Sequence, residues 1–336
     1  MGHPLLAAVL LTMVAGVMSG TCMLPMKFVR SWKWENLWLI FSAVSLVIIP
    51  WMLAIGLVDR LFETYHAVSF RQLAIPMFFG AGWGVAQILF GISVKRLGLG
   101  IAYAIIVGLG AVLGTLVPLF AQQRATAKEH AMQLIICGVA VMVIGISLTT
   151  WGGQIKERES DVPQNASHRS YPAAILVAVL CGLMAPMLNY SFAFGQDIAQ
   201  TAVRFGNQPV HSAYAVWPIG LAGGFVPNAA YSMWLLFKNR TWPLFRRAPP
   251  DLLWSCLMGI LWMGAFALYG MSASLLGALG TSVGWGLLQI FMIMTATLAG
   301  AMTGEWQQAS RPAKLLLGSG MASLTVAIVL LAIGSL

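Results

Sequence analysis

Trp83 and Gln87 stand four residues apart, and so do Trp285 and Gln289. On an α-helix that spacing puts an indole and an amide on one face. An amide both donates and accepts hydrogen bonds, which suits vicinal hydroxyls. An indole offers a flat apolar face, which suits the C–H face of a sugar ring. Tyr103, Asn189, Tyr190, Asn228, Trp262 and Tyr269 are further polar or aromatic residues well inside apolar runs. An unpaired amide moved into hydrocarbon costs about 4–8 kcal/mol on alkane scales, so each must meet a partner or a wet cavity. Trp83, Gln87, Tyr103, Asn189, Asn228, Trp262, Tyr269, Trp285 and Gln289 together describe a neutral pocket of carbohydrate size. Any one of them taken singly is equally explained by an interhelical hydrogen bond or by aromatic packing.

No Asp or Glu falls in the middle of an apolar run. Intramembrane carboxylates are the usual carriers of protons and cations, so a deeply placed charged substrate is disfavoured and a neutral one favoured. Cys22, Cys137, Cys181 and Cys256 show no CxxC or Cys/His spacing, so no metal site is expected. No Walker loop or dinucleotide fingerprint exists, and no cofactor is expected. Gly280 to Gly284 reads GTSVG and fits G-x-S-x-G. That elbow needs a strand-to-helix turn and a histidine partner; here it opens an apolar run, and a hydrolase is rejected.

The elements that carry these residues follow from composition. Hydrophobic residues are 59% of the chain and charged residues 9%, against about 25% charged in soluble domains. Such a chain cannot cover a water-facing surface, so it is read as an all-α integral membrane protein. Its net charge of +9 is not a nucleic-acid signature, because the basic residues sit in short loops between apolar runs. A bilayer core takes about 20 apolar residues as helix. Ten such spans are expected, at 4–26, 36–57, 71–94, 99–121, 131–151, 171–194, 213–237, 251–273, 278–303 and 313–334. The loops after the odd-numbered spans hold 14 of the 19 Lys and Arg: Lys27, Arg30, Lys33, Lys95, Arg96, Lys156, Arg158, Arg169, Lys238, Arg240, Arg246, Arg247, Arg311 and Lys314. The positive-inside rule therefore puts those loops in the cytoplasm and both termini outside. The first run has no basic residues ahead of it and is read as a retained helix, not a cleaved signal.

The third and eighth spans repeat one another. Gly80, Trp83, Phe90, Gly91, Ser93, Leu97 and Gly98 match Gly259, Trp262, Tyr269, Gly270, Ser272, Leu276 and Gly277 at a constant offset of 179. Pro25 in CMLPM and Pro186 in LMAPM pair the first span with the sixth. Five spans per half is an odd number, so the second half must enter the membrane inverted. Inverted repeats mark secondary transporters that rock about a midplane site. The expected units are a first repeat over 1–152, a cytoplasmic linker over 153–170 and a second, inverted repeat over 171–336. Gly80 with Gly84, and Gly110 with Gly114, are GxxxG steps that allow close backbone approach. Pro25, Pro118, Pro186, Pro218 and Pro227 interrupt spans and can kink them.

Several stretches resemble the L-rhamnose–proton symporter family of the drug/metabolite transporter superfamily: CMLPMKFVRSWKWENLW at Cys22 to Trp38, IPW at Ile49 to Trp51, FGAGWG at Phe79 to Gly84, GTLVP at Gly114 to Pro118, GQIKER at Gly153 to Arg158 and EWQQASRP at Glu305 to Pro312. The resemblance implies a ten-helix inverted-repeat carrier in a bacterial inner membrane, taking up a deoxyhexose such as L-rhamnose with protons. Pro25, Lys27, Trp34, Glu35, Trp83 and Glu305 match the family pattern, while Gln87 stands where it has Asn and Gln289 where it has His. If protons are coupled, Lys27, Asp197, His211, Glu35 and Glu305 are the candidates, each more simply read as an anchor or surface charge. The expected partners are a small sugar, protons and the lipid bilayer. The alternative in transport is export of apolar or aromatic molecules; outside transport it is a membrane-embedded enzyme or scaffold.

Overall fold

The computed structural model describes residues 2–123, 128–159, 171–246 and 249–335. Arg124, Arg169, Arg247 and the later part of the expected linker lie outside those residues. The helices in chain order are α1 (Gly2–Thr21), α2 (Trp34–Ala43), α3 (Ile49–Leu57), α4 (Leu61–Ala67), α5 (Phe70–Leu97), α6 (Leu99–Pro118), α7 (Glu129–Glu159) and α8 (Tyr171–Met184). They continue with α9 (Met187–Phe194), α10 (Gln196–Arg204), α11 (Pro209–Ser212), α12 (Trp217–Asn239), α13 (Pro249–Leu275), α14 (Gly280–Met302) and α15 (Arg311–Gly334). The described residues contain no strand. Nine helical segments among them are long and apolar enough to cross a membrane. The remaining expected span, 213–237, falls largely on α12, which is 23 residues long but carries Asn228, Ser232, two prolines and several glycines, and is not among those nine. This is a multi-pass membrane protein: Phe78, Phe237 and Leu253 are 68, 69 and 70% exposed, as side chains are whose solvent is lipid.

Local chemistry sets the boundaries. The N-terminus of α5 is closed by a capping box: Ser69 accepts from the Gln72 amide while the Gln72 side chain accepts from Ser69 N–H at 2.8 Å. It ends at Gly98, whose φ of 79° suits a residue without Cβ. The expected sixth span is broken into α8, α9 and α10 at Pro186 and Gly195, and it runs on to Arg204 instead of stopping at 194. The matching Pro25 ends the first span in a 3₁₀ turn, Leu24–Phe28. Helix α7 extends to Glu159, so the start of the expected linker is helical.

Glycines let three pairs of helices touch backbone to backbone or side chain to backbone. Along α5 and α12 a Cβ built on Gly80 would lie 1.8 Å from the Gly220 carbonyl oxygen, and one on Gly84 would lie 2.5 Å from that of Gly224. Both indices rise together, so α5 and α12 run parallel. Along α7 and α15 the order reverses: Gly138 faces Leu331, Gly145 faces Leu324 and Gly152 faces Ala313, so these two run antiparallel. The other expected GxxxG step serves differently, because Gly114 makes room for the Trp285 indole of α14. Trp83 of α5 and Trp262 of α13, partners in the repeat, stack on each other with centroids 5.3 Å apart.

Candidate transport site

A cavity of about 980 Å³ opens at one end of the bundle, between the starts of α5 and α14 and the ends of α6, α10 and α13. Its wall mixes amides and hydroxyls, Gln72, Gln122, Gln196, Gln200, Ser274 and Thr281, with apolar side chains such as Ile75, Phe194 and Val203. Asp197 and Arg71 are the charged residues that line it. Gln72 donates to Asp197 Oδ2 at 3.0 Å, Gln196 to the Phe192 carbonyl at 3.0 Å and Gln122 to the Ala193 carbonyl at 3.3 Å. Phe192 also lines the cavity, and the indole of Trp217 stacks behind it at 4.6 Å.

Directly beneath Thr281 lies a polar knot held by the short helix α9. Asn189 donates to the Gly114 carbonyl at 2.8 Å and the Thr281 carbonyl at 2.9 Å. Tyr269 donates its hydroxyl proton to Asn189 Oδ1. Tyr190 donates to the Leu113 carbonyl at 3.0 Å and Ser191 to that of Pro76 at 2.8 Å. Three consecutive side chains thus pin α9 to α5, α6 and α14. Breaks on both sides of α9 free its backbone to sit here, and the three donors compensate for the lost continuity.

The nine residues expected to line one pocket are distributed differently. None of them is on the wall of this cavity. Asn189 and Tyr269 sit just below it, fully buried, and Trp285 packs edge-on against Tyr269 and donates to the Gly110 carbonyl at 3.2 Å. Trp83 and Trp262 occupy the centre of the bundle, where Trp262 continues into Phe266 at 4.3 Å. Asn228 is committed, accepting from Trp38 Nε1 at 2.8 Å and donating to the Gly224 carbonyl at 2.8 Å. Tyr103 packs in a separate cluster with Val107, Leu287 and Ile290. Gln289 is 9% exposed and Gln87 partly buried; neither amide has a hydrogen-bond partner among the described residues. The wall residues were passed over in the sequence because they stand at span ends, where amides read as loop. Their signal was the recurrence of Gln at the ends of three spans, Gln72, Gln122, Gln196 and Gln200.

The opposite end of α14 carries ion pairs. Lys27, after α1, lies 3.3 Å from Glu305 Oε1, and Lys156 of α7 lies 3.7 Å from Glu305 Oε2. Glu35 accepts from Asn239 and Thr241, each at 2.9 Å. Asp251 accepts the backbone N–H groups of Arg30, Ser31 and Trp32 at 3.2, 2.8 and 2.9 Å. Of the five expected proton-coupling residues, Lys27, Glu35 and Glu305 therefore gather at this end, while Asp197 and the partly buried His211 lie at the cavity end. Among the described residues no cluster of His, Cys, Asp and Glu is placed to hold a metal ion.

A family model described as L-rhamnose-proton symport protein matches residues 1–335. The chain belongs to the L-rhamnose-proton symport family. Curated relatives named L-rhamnose-proton symporter, from Klebsiella pneumoniae strain 342, Shigella boydii serotype 18 and Escherichia coli strain 55989, are each 26% identical over 329 residues, covering 95% of this chain and 95% of theirs. As a member of the L-rhamnose-proton symport family the chain is a transporter and not an enzyme. The GTSVG stretch fits that assignment. It forms the first turn of α14, with Ser282 fully buried and the Thr281 carbonyl occupied by Asn189.

Proposed function

We propose that this protein takes up L-rhamnose or a related neutral deoxyhexose together with protons, by alternating access between two inverted five-helix halves, 1–152 and 171–336, joined by a cytoplasmic linker over 153–170. The observation that carries the reading is the contrast along α14: an open cavity at its start whose polar lining is mostly amides and hydroxyls, and a pair of lysine–glutamate contacts at its end. Walls of amides and hydroxyls suit a polyol, and they count against export of apolar molecules. The volume is at the upper end of the range for small-molecule pockets, enough for a hexose with water.

Three features support inversion. The fifth and tenth expected spans, α7 and α15, run antiparallel. The repeat-related Trp83 and Trp262 meet face to face, as residues beside a pseudo-twofold axis must. Both repeat-related prolines end a helix segment. The close, parallel course of α12 along α5 supports α12 as the seventh of the ten expected spans. The basic residues Lys27, Arg30, Lys33, Lys156 and Arg158 all lie toward the tied end, so by the positive-inside rule the cavity faces the periplasm and both termini lie outside, in a bacterial inner membrane. In this reading Asn189 and Tyr269 form the floor that a sugar hydroxyl unlocks. Gln87 and Gln289, whose amides are uncommitted, take the sugar further along the path between Trp83, Trp262 and Trp285. Tyr103 and Asn228 complete the set as supports of that path.

Uptake of a panel of labelled sugars into proteoliposomes, with and without an inward pH gradient, tests this. The expected result is gradient-driven accumulation of L-rhamnose or a close deoxyhexose. Absence of sugar uptake together with efflux of an aromatic compound would overturn it.

A further inference from the structure

We infer that Asp197 is the group at which sugar and proton are coupled: a carboxylate on the cavity wall that binds the sugar from the periplasm and takes up the proton as the cavity closes. This rests on the transport reading above and names the coupling residue within it.

The inference comes from how each carboxylate is partnered. Asp251 is consumed by three backbone amides. Glu35 bridges Asn239 and Thr241. Glu305 sits between two lysines, 3.3 Å from Lys27 and 3.7 Å from Lys156. Glu63 is paired with Arg60 and Glu159 accepts from Ser310 N–H. Asp197 is the one carboxylate among the residues lining the cavity, and its hydrogen-bond donor there is the neutral Gln72 amide. The titratable groups on the elements packed against α10 are Arg71 at the start of α5, His211 on α11, Glu63 and His66 on α4, and Asp59 and Arg60 in the turn before α4, with Arg204 further along α10 itself. None makes an ion pair with it among the described residues. Arg71 leaves α5 about 100° around the helix from Gln72, whereas Gln72 is the side chain that reaches the carboxylate.

A carboxylate held at one oxygen by an amide keeps lone pairs for two neighbouring sugar hydroxyls. Gln200, one turn along from Gln196, and Ser274 across the cavity can serve the rest of the ring. While the cavity is open, water solvates the negative charge. Closing the walls over the sugar removes that water, and with no cation paired to it the ionised form becomes the costly one. The carboxylate then takes one proton from periplasmic water. It releases that proton to cytoplasmic water once the tie at Glu305 opens and the site is wetted again. One sugar and one proton cross together.

The experiment uses the full-length protein in proteoliposomes, comparing wild type with Asp197→Asn, Asp197→Glu and Gln72→Glu. Three readouts are taken with L-rhamnose: accumulation under an inward pH gradient, exchange at equal pH, and sugar-induced alkalinisation of a weakly buffered outer medium. Asp197→Asn should exchange sugar with KM raised about tenfold, while accumulation and alkalinisation vanish. Asp197→Glu should keep alkalinisation. Gln72→Glu preserves the capping box but sets a like charge beside Asp197, so half-maximal uptake should move to higher pH. Alkalinisation by Asp197→Asn equal to wild type overturns the assignment. If Asp197→Asn does not exchange at all, an unmoved pH profile in Gln72→Glu overturns it and a shifted one upholds it. A wild type that neither exchanges nor accumulates any deoxyhexose overturns the transport reading itself.

Discussion

The two ends of α14 hold the same kinds of residue in opposite states. Toward the Glu305 end, Glu305, Asp251 and Glu35 each have two or more partners: lysines, backbone N–H groups and side-chain donors respectively. Around Thr281 the polar lining is mostly amide and hydroxyl, and the one carboxylate on it accepts from the Gln72 side chain. A saturated carboxylate is a strut, since moving it costs its hydrogen bonds. An under-partnered one in water is free to change its company, which a transport cycle requires. In the proposed cycle, charge at one end holds shape and charge at the other does work.

The largest test of that contrast is Asp251→Ala. It strips the acceptor from three backbone N–H groups, of which that of Trp32 is buried, and an unpaired buried donor costs about 1–3 kcal/mol, a sizeable part of a domain's stability of about 5–15 kcal/mol. Loss of monodisperse protein by fluorescence-detected size exclusion is expected, whereas Asp197→Asn should elute as wild type. If both variants elute alike, the division into strut and worker fails.

Glu305→Gln should act more gently. Exposed ion pairs are worth about 0–1 kcal/mol each, so removing two should shift the balance toward a cytoplasm-open form by about three- to tenfold. Alkylation of a Ser274→Cys reporter in the cavity by a membrane-impermeant maleimide should slow by that factor, because the periplasmic mouth is then open less of the time. Unchanged or faster labelling would show that the tie does not close that end. The smallest effect is expected at Gln87→Ala and Gln289→Ala. Each should raise the KM for sugar about threefold, one neutral hydrogen bond at about 0.5–1.5 kcal/mol, with thermal stability unchanged because neither amide now holds protein. A stability loss without a KM change would make them packing residues.

Much of this was legible in order of chain. Hydropathy gives the spans because the cost of taking a backbone into lipid is local and additive. The repeat at an offset of 179 names Trp83 and Trp262 as equivalent, and the two rings do meet. What hydropathy could not give is the double break around α9. Apolar content runs without interruption across Pro186, the polar Gln196 and Asp197 after Gly195 read as the end of a span and not as a break within one, and packing against α5, α6 and α14 holds the broken form. Nor could it rank the amides. Asn228 and Gln289 look alike in a sequence, yet one is locked between Trp38 and Gly224 and the other has no partner among the described residues.

By itself the sequence determined the medium, the helical content and the neutrality of the bundle's interior, since composition and periodicity act residue by residue. Tertiary structure decided which polar groups are already spent. A hydrogen bond needs a partner brought from elsewhere in the chain, and whether Asp197 or Asp251 finds one depends on which helix ends are neighbours.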